Sequence, residues 1–173
     1  MLTNIIKIME ELSRSRIYWL MLIFAAAVLL ITALAFQYLL DELPCVLCIQ
    51  VRLWISLLLV VAIIGYFSEN QTIFNIGCHL TVILIAIGLV ERSYQLLGTE
   101  RGFLFSDCGF SLGMPSWFAI DEWLPWLYRI ETSCGYTPEL IFGITMAEAL
   151  IVFSSLLLVV SVAITGFTVF HRR

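Results

Sequence analysis

Two cysteines and an arginine stand where a polar turn meets a long apolar run. Cys45 and Cys48 are three residues apart, and Arg52 follows four residues later. Residues three and four apart share one face of a helix, so this spacing predicts a stripe of two thiols and a guanidinium. At ~1.5 Å of rise per residue, Arg52 would lie about 10 Å along the axis from Cys45. Two soft nucleophiles beside a fixed positive charge indicate redox chemistry.

The position of the cysteine pair favours reactivity. Pro44 suits a helix start, and the partial positive charge of a helix N-terminus favours thiolate at Cys45 and Cys48. A disulfide between two helical positions three apart would be strained, because their side-chain carbons are about 5–6 Å apart, whereas a relaxed bridge needs about 3.5–4.5 Å. Labile disulfides of this kind are the catalytic ones. The alternatives are a zinc half-site or two inert residues. Zinc would need more ligands nearby, and both histidines, His79 and His171, are expected on the other side of the membrane, so we predict no metal site.

A second pair, Cys108 and Cys134, flanks an aromatic, proline-containing segment at 115–128. Such residues favour the membrane–water boundary, so we predict a short amphipathic segment that keeps this loop low over the first pair. A purely structural bridge, contributing roughly 3–4 kcal/mol by loop closure, is the alternative. Two outward-facing pairs otherwise indicate an electron relay through mixed disulfides. A membrane quinone is the obvious acceptor within the lipid, and the buried guanidinium of Arg52 would stabilise the anion formed there.

Composition predicts the elements that must position these residues. The chain has 173 residues, 61% of them hydrophobic, and a mean hydropathy of +1.01, which indicates an integral membrane protein. The absence of a basic stripe argues against nucleic-acid binding. We predict one all-α membrane domain, a four-helix transmembrane bundle whose long outer loop bears a short amphipathic helix. Within the domain 1–173, the predicted spans are 17–38, 46–67, 73–96 and 140–170, and the predicted outer loops are 39–45 and 97–139.

Basic residues near the two ends predict orientation. Lys7, Arg14 and Arg16 precede the first span, and Arg172 and Arg173 follow the last. By the positive-inside rule both termini are cytoplasmic, and both cysteine pairs face outward. The amino-terminal run also resembles a secretory signal, but it is longer than the 7–15 apolar residues of a signal core, so we expect it to be retained as a span.

Other polar residues fall inside the predicted spans. Glu91, Arg92 and Glu148 lie at a depth similar to that of Arg52, which is explained either by ion pairing or by a polar pocket between helices. Gln37, at the outer end of the first span, is either an interfacial residue or a ligand. Two residues are expected near the cytoplasmic side, namely a reduced Cys78 and an interfacial His79.

A set of short motifs runs along most of the chain: Phe36-Gln37, Pro44-Cys45-Val46-Leu47-Cys48-Ile49 with Arg52, Arg92, Asp107-Cys108, Pro115, Trp123-Leu124-Pro125 and Cys134. Together these residues resemble the disulfide bond formation protein B (DsbB) family, the quinone-linked thiol oxidases of the bacterial inner membrane. The sequence departs from the family pattern in two places: Val51 stands where the best-known member has an acidic residue, and the stretch from Glu100 to Cys108 is shorter and lacks a histidine.

The resemblance implies a set of roles. Cys108 would be attacked by a reduced periplasmic thiol oxidase of the thioredoxin class (DsbA-type), Cys134 would exchange with Cys45, and Cys48 would contact ubiquinone or menaquinone. Besides the lipid bilayer, the partners would be that oxidase and the quinone. The expected catalytic residues are Cys45, Cys48, Cys108 and Cys134, and the expected quinone-binding residues are Gln37, Cys48, Arg52 and Arg92.

Three alternatives remain at this stage. The chain could be a paralogue dedicated to one substrate-specific oxidase, or a tetraspan scaffold with two structural disulfides. It could also run outward as a reductase, because the spacing of cysteines does not set the direction of electron flow.

Overall fold

The computed structural model describes residues 16–68, 72–104, 112–113, 119–135, 137–141 and 143–170. Four of its helices are long and apolar enough to cross a membrane. These confirm the predicted all-α, four-helix membrane class. In chain order the elements are α1 (Arg16–Leu39), α2 (Val46–Phe67), α3 (Thr72–Glu100), α4 (Ile120–Trp123), α5 (Pro125–Tyr128), β1 (Glu139–Ile141), β2 (Ile144–Thr145) and α6 (Met146–Phe170).

The long helices pack as a chain of neighbours. Among the described residues the extensive contacts join α1 to α2, α2 to α3, and α3 to α6, whereas α1 and α6 are not an extensively packed pair. Small residues allow this close approach, since Ala26, Ala62 and Ala86 are fully buried. Among the long helices, α1 therefore packs mainly on α2, and α6 packs mainly on α3.

Two helix boundaries differ from the sequence prediction. Helix α3 continues to Glu100 rather than 96, and α6 begins at Met146 rather than 140, after an antiparallel hairpin of β1 and β2. The start of α6 is fixed by a capping box: the Glu148 N–H donates to Thr145 Oγ1 at 3.3 Å, and the Thr145 N–H donates to Glu148 Oε2 at 3.2 Å. Helix α2, in contrast, has the bounds predicted from the sequence, Val46–Phe67.

The proline-containing segment forms two helical turns, α4 and α5, that meet at Leu124 and Pro125. Its second turn is tied to the bundle, because the Tyr38 hydroxyl donates to the Trp126 carbonyl at 2.6 Å and the Tyr128 hydroxyl donates to Ser56 Oγ at 2.7 Å. The loop thus lies against the ends of α1 and α2. Residues 115–118 of the predicted amphipathic segment lie outside the described residues.

Candidate functional site

Cys45 is the N-cap of α2 rather than a helical residue. Its backbone is extended, with φ −84° and ψ 169°, and its sulfur accepts a hydrogen bond from the Cys48 N–H at 3.4 Å. The extended cap brings the two sulfur atoms to 2.8 Å of each other, although both cysteines are free thiols. The predicted single helical stripe is therefore wrong at Cys45. The strain expected from two helical positions does not apply, because a cap residue is outside the helix.

The Cys45 thiol is more acidic than an ordinary cysteine thiol. The Cys48 side chain hydrogen bonds to it and, with further help from backbone N–H groups, lowers the pKa of Cys45 from 9.0 to about 7, although burial opposes this shift. Cys45 is only 1% exposed. A thiol with a lowered pKa is also a better leaving group in thiol–disulfide exchange.

Arg52 is buried one helical turn beyond Cys48, and its guanidinium is held from three directions. Nη1 donates to Gln37 Oε1 at 2.5 Å and to the Leu127 carbonyl at 3.3 Å, while Nη2 donates to the Ala33 carbonyl at 3.0 Å. Gln37 is itself buried. The geometry brings two predicted site residues together and fixes a positive charge that would otherwise be costly inside the bundle.

The segment before Cys134 lies directly on the first cysteine pair. The backbone N–H of Glu131 donates to the Pro44 carbonyl at 3.0 Å, and Cys45 forms a parallel β-bridge with Thr132. Cys134 follows two residues later and is disulfide-bonded. Cys108, the fourth predicted catalytic cysteine, lies outside the described residues. Cys134 is therefore only two residues along the chain from Thr132, the residue that pairs with Cys45.

An apolar cavity of about 110 Å³ opens beside these residues. That volume exceeds the roughly 10–15 Å³ that one water needs, so the cavity can admit a larger molecule. Cys48 and Arg52 line it, together with apolar side chains from α1 and α6 such as Phe36 and Leu150. We call this space the apolar cavity. A mostly apolar pocket with a few polar groups is typical of a small-molecule site.

The other ionisable residues expected near this depth do not converge on the apolar cavity. Arg92 Nη1 donates to Gln95 Oε1 at 3.0 Å, and Gln95 in turn donates to Glu91. Glu148 forms a salt bridge with Arg101, which is 47 residues away in sequence. None of Glu91, Arg92 and Glu148 lines the cavity. The predicted polar pocket shared by these residues with Arg52 is therefore not formed, and Arg92 as a ligand stays a prediction.

Sequence reasoning missed three contributors to the site. The carbonyls of Ala33 and Leu127 hold Arg52, and backbone atoms leave no signal in a sequence. Glu42 lines the apolar cavity, and its only sequence signal is its place in the short turn before Pro44.

A family model and three related proteins all link this chain to the same family of disulfide-forming proteins. A family model described as "Disulfide bond formation protein DsbB" matches residues 15–164. The chain is 31% identical to disulfide bond formation protein B of Psychromonas ingrahamii over 157 residues, covering 88% of this chain and 83% of the relative. It is 30% identical to the protein of that name from Haemophilus influenzae, covering 88% of this chain and 87% of the relative. For the protein of that name from Shewanella amazonensis the values are 33%, 81% and 83%.

Proposed function

We propose a specific electron path for this chain, which belongs to the family of the disulfide bond formation protein DsbB: it reoxidises a thioredoxin-like, DsbA-type thiol oxidase and passes the electrons through two cysteine pairs to a membrane quinone. In coarser terms, the chain is a disulfide-forming oxidoreductase and a multi-pass membrane protein. The observation that carries the proposal is the placement of Cys48, which lies 2.8 Å from the Cys45 sulfur and also lines the apolar cavity.

The first half of the path is thiol–disulfide exchange. A thiolate of the reduced partner attacks Cys108 in a disulfide with Cys134, which forms a mixed disulfide and releases the Cys134 thiolate. The partner's second thiolate then attacks the partner's own sulfur in the mixed disulfide. This releases the Cys108 thiolate, and the partner leaves with its disulfide formed. Two electrons now reside on the loop pair. The β-bridge between Cys45 and Thr132 supports transfer from Cys134 to a Cys45–Cys48 disulfide, because it holds the loop against Cys45.

The second half returns the first pair to its oxidised form. Once reduced, the pair has a Cys45 thiolate stabilised by the Cys48 hydrogen bond, and Cys48 is next to the apolar cavity. Oxidation of the two thiols to a disulfide releases two electrons and two protons. The direction of electron flow is set by the reduction potentials of the partner, the two cysteine pairs and the acceptor.

The residues around the apolar cavity fit a quinone. The ring would lie beside Cys48 and Arg52, and apolar residues of α1 and α6 would surround the isoprenoid chain, which could pass between these two helices into lipid. A bound quinone supplies a two-electron, two-proton acceptor. Arg52 would supply a fixed positive charge that stabilises negative charge on the bound group, and Gln37 would hold the guanidinium in place through its hydrogen bond. Either ubiquinone or menaquinone satisfies this chemistry.

The location follows from the same scheme. We place the chain in the bacterial inner membrane with both termini cytoplasmic and the cysteine pairs on the periplasmic side, on the basis of the basic residues at its two ends. A thiol oxidase outside and a quinone pool within the bilayer are then both in reach.

The test is anaerobic mixing of the purified protein with reduced partner and quinone, followed by quinone absorbance. Cys48→Ser should abolish quinone reduction, whereas Cys78→Ser, a matched change at a free and buried cysteine on another helix, should leave it unchanged. Cys108→Ser should prevent the mixed disulfide with the partner. Equal quinone reduction by the wild type and Cys48→Ser would falsify the proposed path.

A further inference from the structure

A second cavity adjoins the apolar one at the turn between α1 and α2. It has a volume of about 510 Å³, and three carboxyl groups line it, those of Glu42, Glu100 and Glu139. The Thr137 and Thr145 hydroxyls, which donate to Glu100 at 2.5 and 3.2 Å, line it as well. We call this space the acidic cavity. Its polar lining and its volume suit several waters, unlike the narrower apolar cavity.

Three residues line both cavities: Phe36, Glu42 and Pro138. Of these, only Glu42 can bind and release a proton. Its position is fixed by the turn, because the Glu42 N–H donates to the Phe36 carbonyl at 3.1 Å and Asp41 has a positive φ of 53°. A half-buried carboxyl group therefore stands between a wet compartment and an apolar one.

The proposed reaction needs protons inside the apolar cavity. Reduction of a quinone by two electrons is complete only when both ring oxygens are protonated. Arg52 lines the cavity but cannot release a proton in a protein. Cys48 supplies electrons and a thiol proton, and apolar side chains make up most of the remaining wall. Among the described residues that line the apolar cavity, Glu42 is the one ionisable residue besides Cys48 and Arg52.

We propose that Glu42 is the proton donor to the quinone oxygen at this site; the inference rests on the function proposed above. The Glu42 O–H bond breaks and a ring O–H bond forms, while the electrons come from the Cys45–Cys48 dithiol, which becomes a disulfide. The carboxylate then takes a proton from water in the acidic cavity. Each turnover balances: one ring oxygen takes the Glu42 proton and the other takes the Cys48 thiol proton, while Cys45 releases its proton to water and water in the acidic cavity returns one proton to Glu42.

Charge supports the direction of this transfer. Moving the proton from Glu42 to a ring oxygen shifts negative charge from the apolar cavity to a residue that also lines the polar, acidic cavity, where charge is less costly. Arg52 stabilises the same oxygen without competing for the proton. The other groups that face Glu42 across the two cavities are Glu100 and Glu139 on the wet side and the Cys48 thiol on the dry side.

The test compares Glu42→Gln with Asp41→Asn. Both remove one carboxyl group from the same turn, but Asp41 is exposed and lines neither cavity, and asparagine tolerates its positive φ. Glu42→Gln should lower quinone reduction about 100-fold at saturating quinone, the lower range for loss of an acid catalyst. Asp41→Asn should match the wild type, and Glu42→Asp should recover part of the rate.

Two further measurements separate proton transfer from structure. The infrared difference spectrum between the quinone-bound oxidised and reduced protein should contain a carboxyl band that shifts in D₂O, vanishes in Glu42→Gln and persists in Asp41→Asn. Formation of the mixed disulfide with the partner should be unchanged in all variants. If the wild type reduces quinone and Glu42→Gln keeps both its rate and the carboxyl band, the proton role is overturned. If the wild type itself fails to reduce quinone, the proposed function fails first.

Discussion

The two ends of the same four helices are held together in different ways. At the end where α1 finishes and α2 begins, here called the cysteine end, directional hydrogen bonds join distant segments, as between Arg52 and the Leu127 carbonyl. At the opposite end, Tyr18, Trp19 and His79 are packed ring to ring, with centroids 4.7–5.2 Å apart. One end is a polar framework beside a cavity, and the other is a closed aromatic cluster.

The difference teaches where function can be placed. Ring contacts between Tyr18, Trp19 and His79 join α1 to α3 and fix their relative positions through close packing. Hydrogen bonds from a loop can hold a charged side chain at a cavity wall and still leave the cavity open. The variants below alter one end at a time. Changes at the cysteine end should leave the packing of the aromatic cluster intact, and changes at the aromatic end should leave quinone reduction intact.

The largest effect is expected from Arg52→Met at the cysteine end. Methionine keeps the apolar stem but removes the charge that would stabilise an anion, so quinone reduction should fall about 10²–10³-fold, as for loss of one preorganised donor. Single-turnover absorbance of the quinone measures this. Arg52→Lys is the informative partner, because it keeps the charge but loses the planar guanidinium whose two nitrogens bond Gln37 and the Ala33 carbonyl.

An intermediate rate for Arg52→Lys would show that charge and orientation both count. A wild-type rate in Arg52→Met would remove the guanidinium from the mechanism. In either variant the aromatic end should be intact, so a near-ultraviolet circular dichroism spectrum like that of the wild type is the control.

The next effect concerns stability at the opposite end. A Cβ added to Gly65 would come 2.6 Å from ring carbons of Trp19, whereas one added to Gly77 meets nothing within 4 Å. Gly65→Ala should therefore lower the free energy of unfolding by about 1–3 kcal/mol through overpacking. Gly77→Ala, also in a helix, should not destabilise, because alanine is the better helix former.

Thermal unfolding in detergent, followed by tryptophan fluorescence, measures both glycine variants. Their quinone reduction at a temperature well below unfolding should be close to that of the wild type. A loss of activity in folded Gly65→Ala would mean that the two ends are not separable.

Local patterns in the sequence predicted much of this division, and long-range contacts set the rest. Hydropathy predicted four spans, but it predicted the start of the fourth at 140, whereas the helix begins at Met146, after the capping box of Thr145 and Glu148. His79, in contrast, was expected at the interface but is 1% exposed. Its burial depends on aromatic partners 60 residues away, at Tyr18 and Trp19, which no local pattern reveals.

The candidate site divides in the same way. The spacing of Cys45, Cys48 and Arg52 indicated the chemistry, but their geometry depends on the extended backbone of a cap residue. The salt bridge from Arg101 to Glu148 joins residues far apart in the chain, so the sequence could not assign the partner.

A smaller effect is expected in the acidity of Cys45. Because folding lowers the pKa of Cys45 from 9.0 to about 7, the Cys45 thiolate stabilises the folded state. This contribution to the free energy of unfolding is fully present above about pH 9 and is lost as the pH falls through about 7. Cys48→Ala removes the largest cause, so the Cys45 midpoint should rise toward or above its ordinary value.

Thiolate ultraviolet absorbance during a pH titration gives the midpoint, in a reduced background in which Cys78, Cys108 and Cys134 are serine. The background protein should titrate Cys45 near pH 7. An unchanged midpoint in Cys48→Ala would show that the neighbouring thiol is not what makes Cys45 acidic.

The smallest effect is expected at the bond that closes the loop over the cysteine end. Tyr128→Phe removes the hydroxyl that donates to Ser56, while Ser56 keeps its own bond to the Arg52 carbonyl at 2.8 Å, so no buried acceptor loses all its partners. Opening of α5 should become easier by about 0.5–1.5 kcal/mol. Hydrogen exchange of the α5 amides measures it, with Tyr38→Phe as the comparison, since that bond is exposed and its loss should cost less. Because the Leu127 carbonyl on α5 also binds Arg52, the loop and the guanidinium should loosen together in Tyr128→Phe, whereas α3 and the aromatic cluster should keep their protection. Equal deprotection at both ends would mean that the bundle opens as one unit, and the contrast between its ends would then be structural but not energetic.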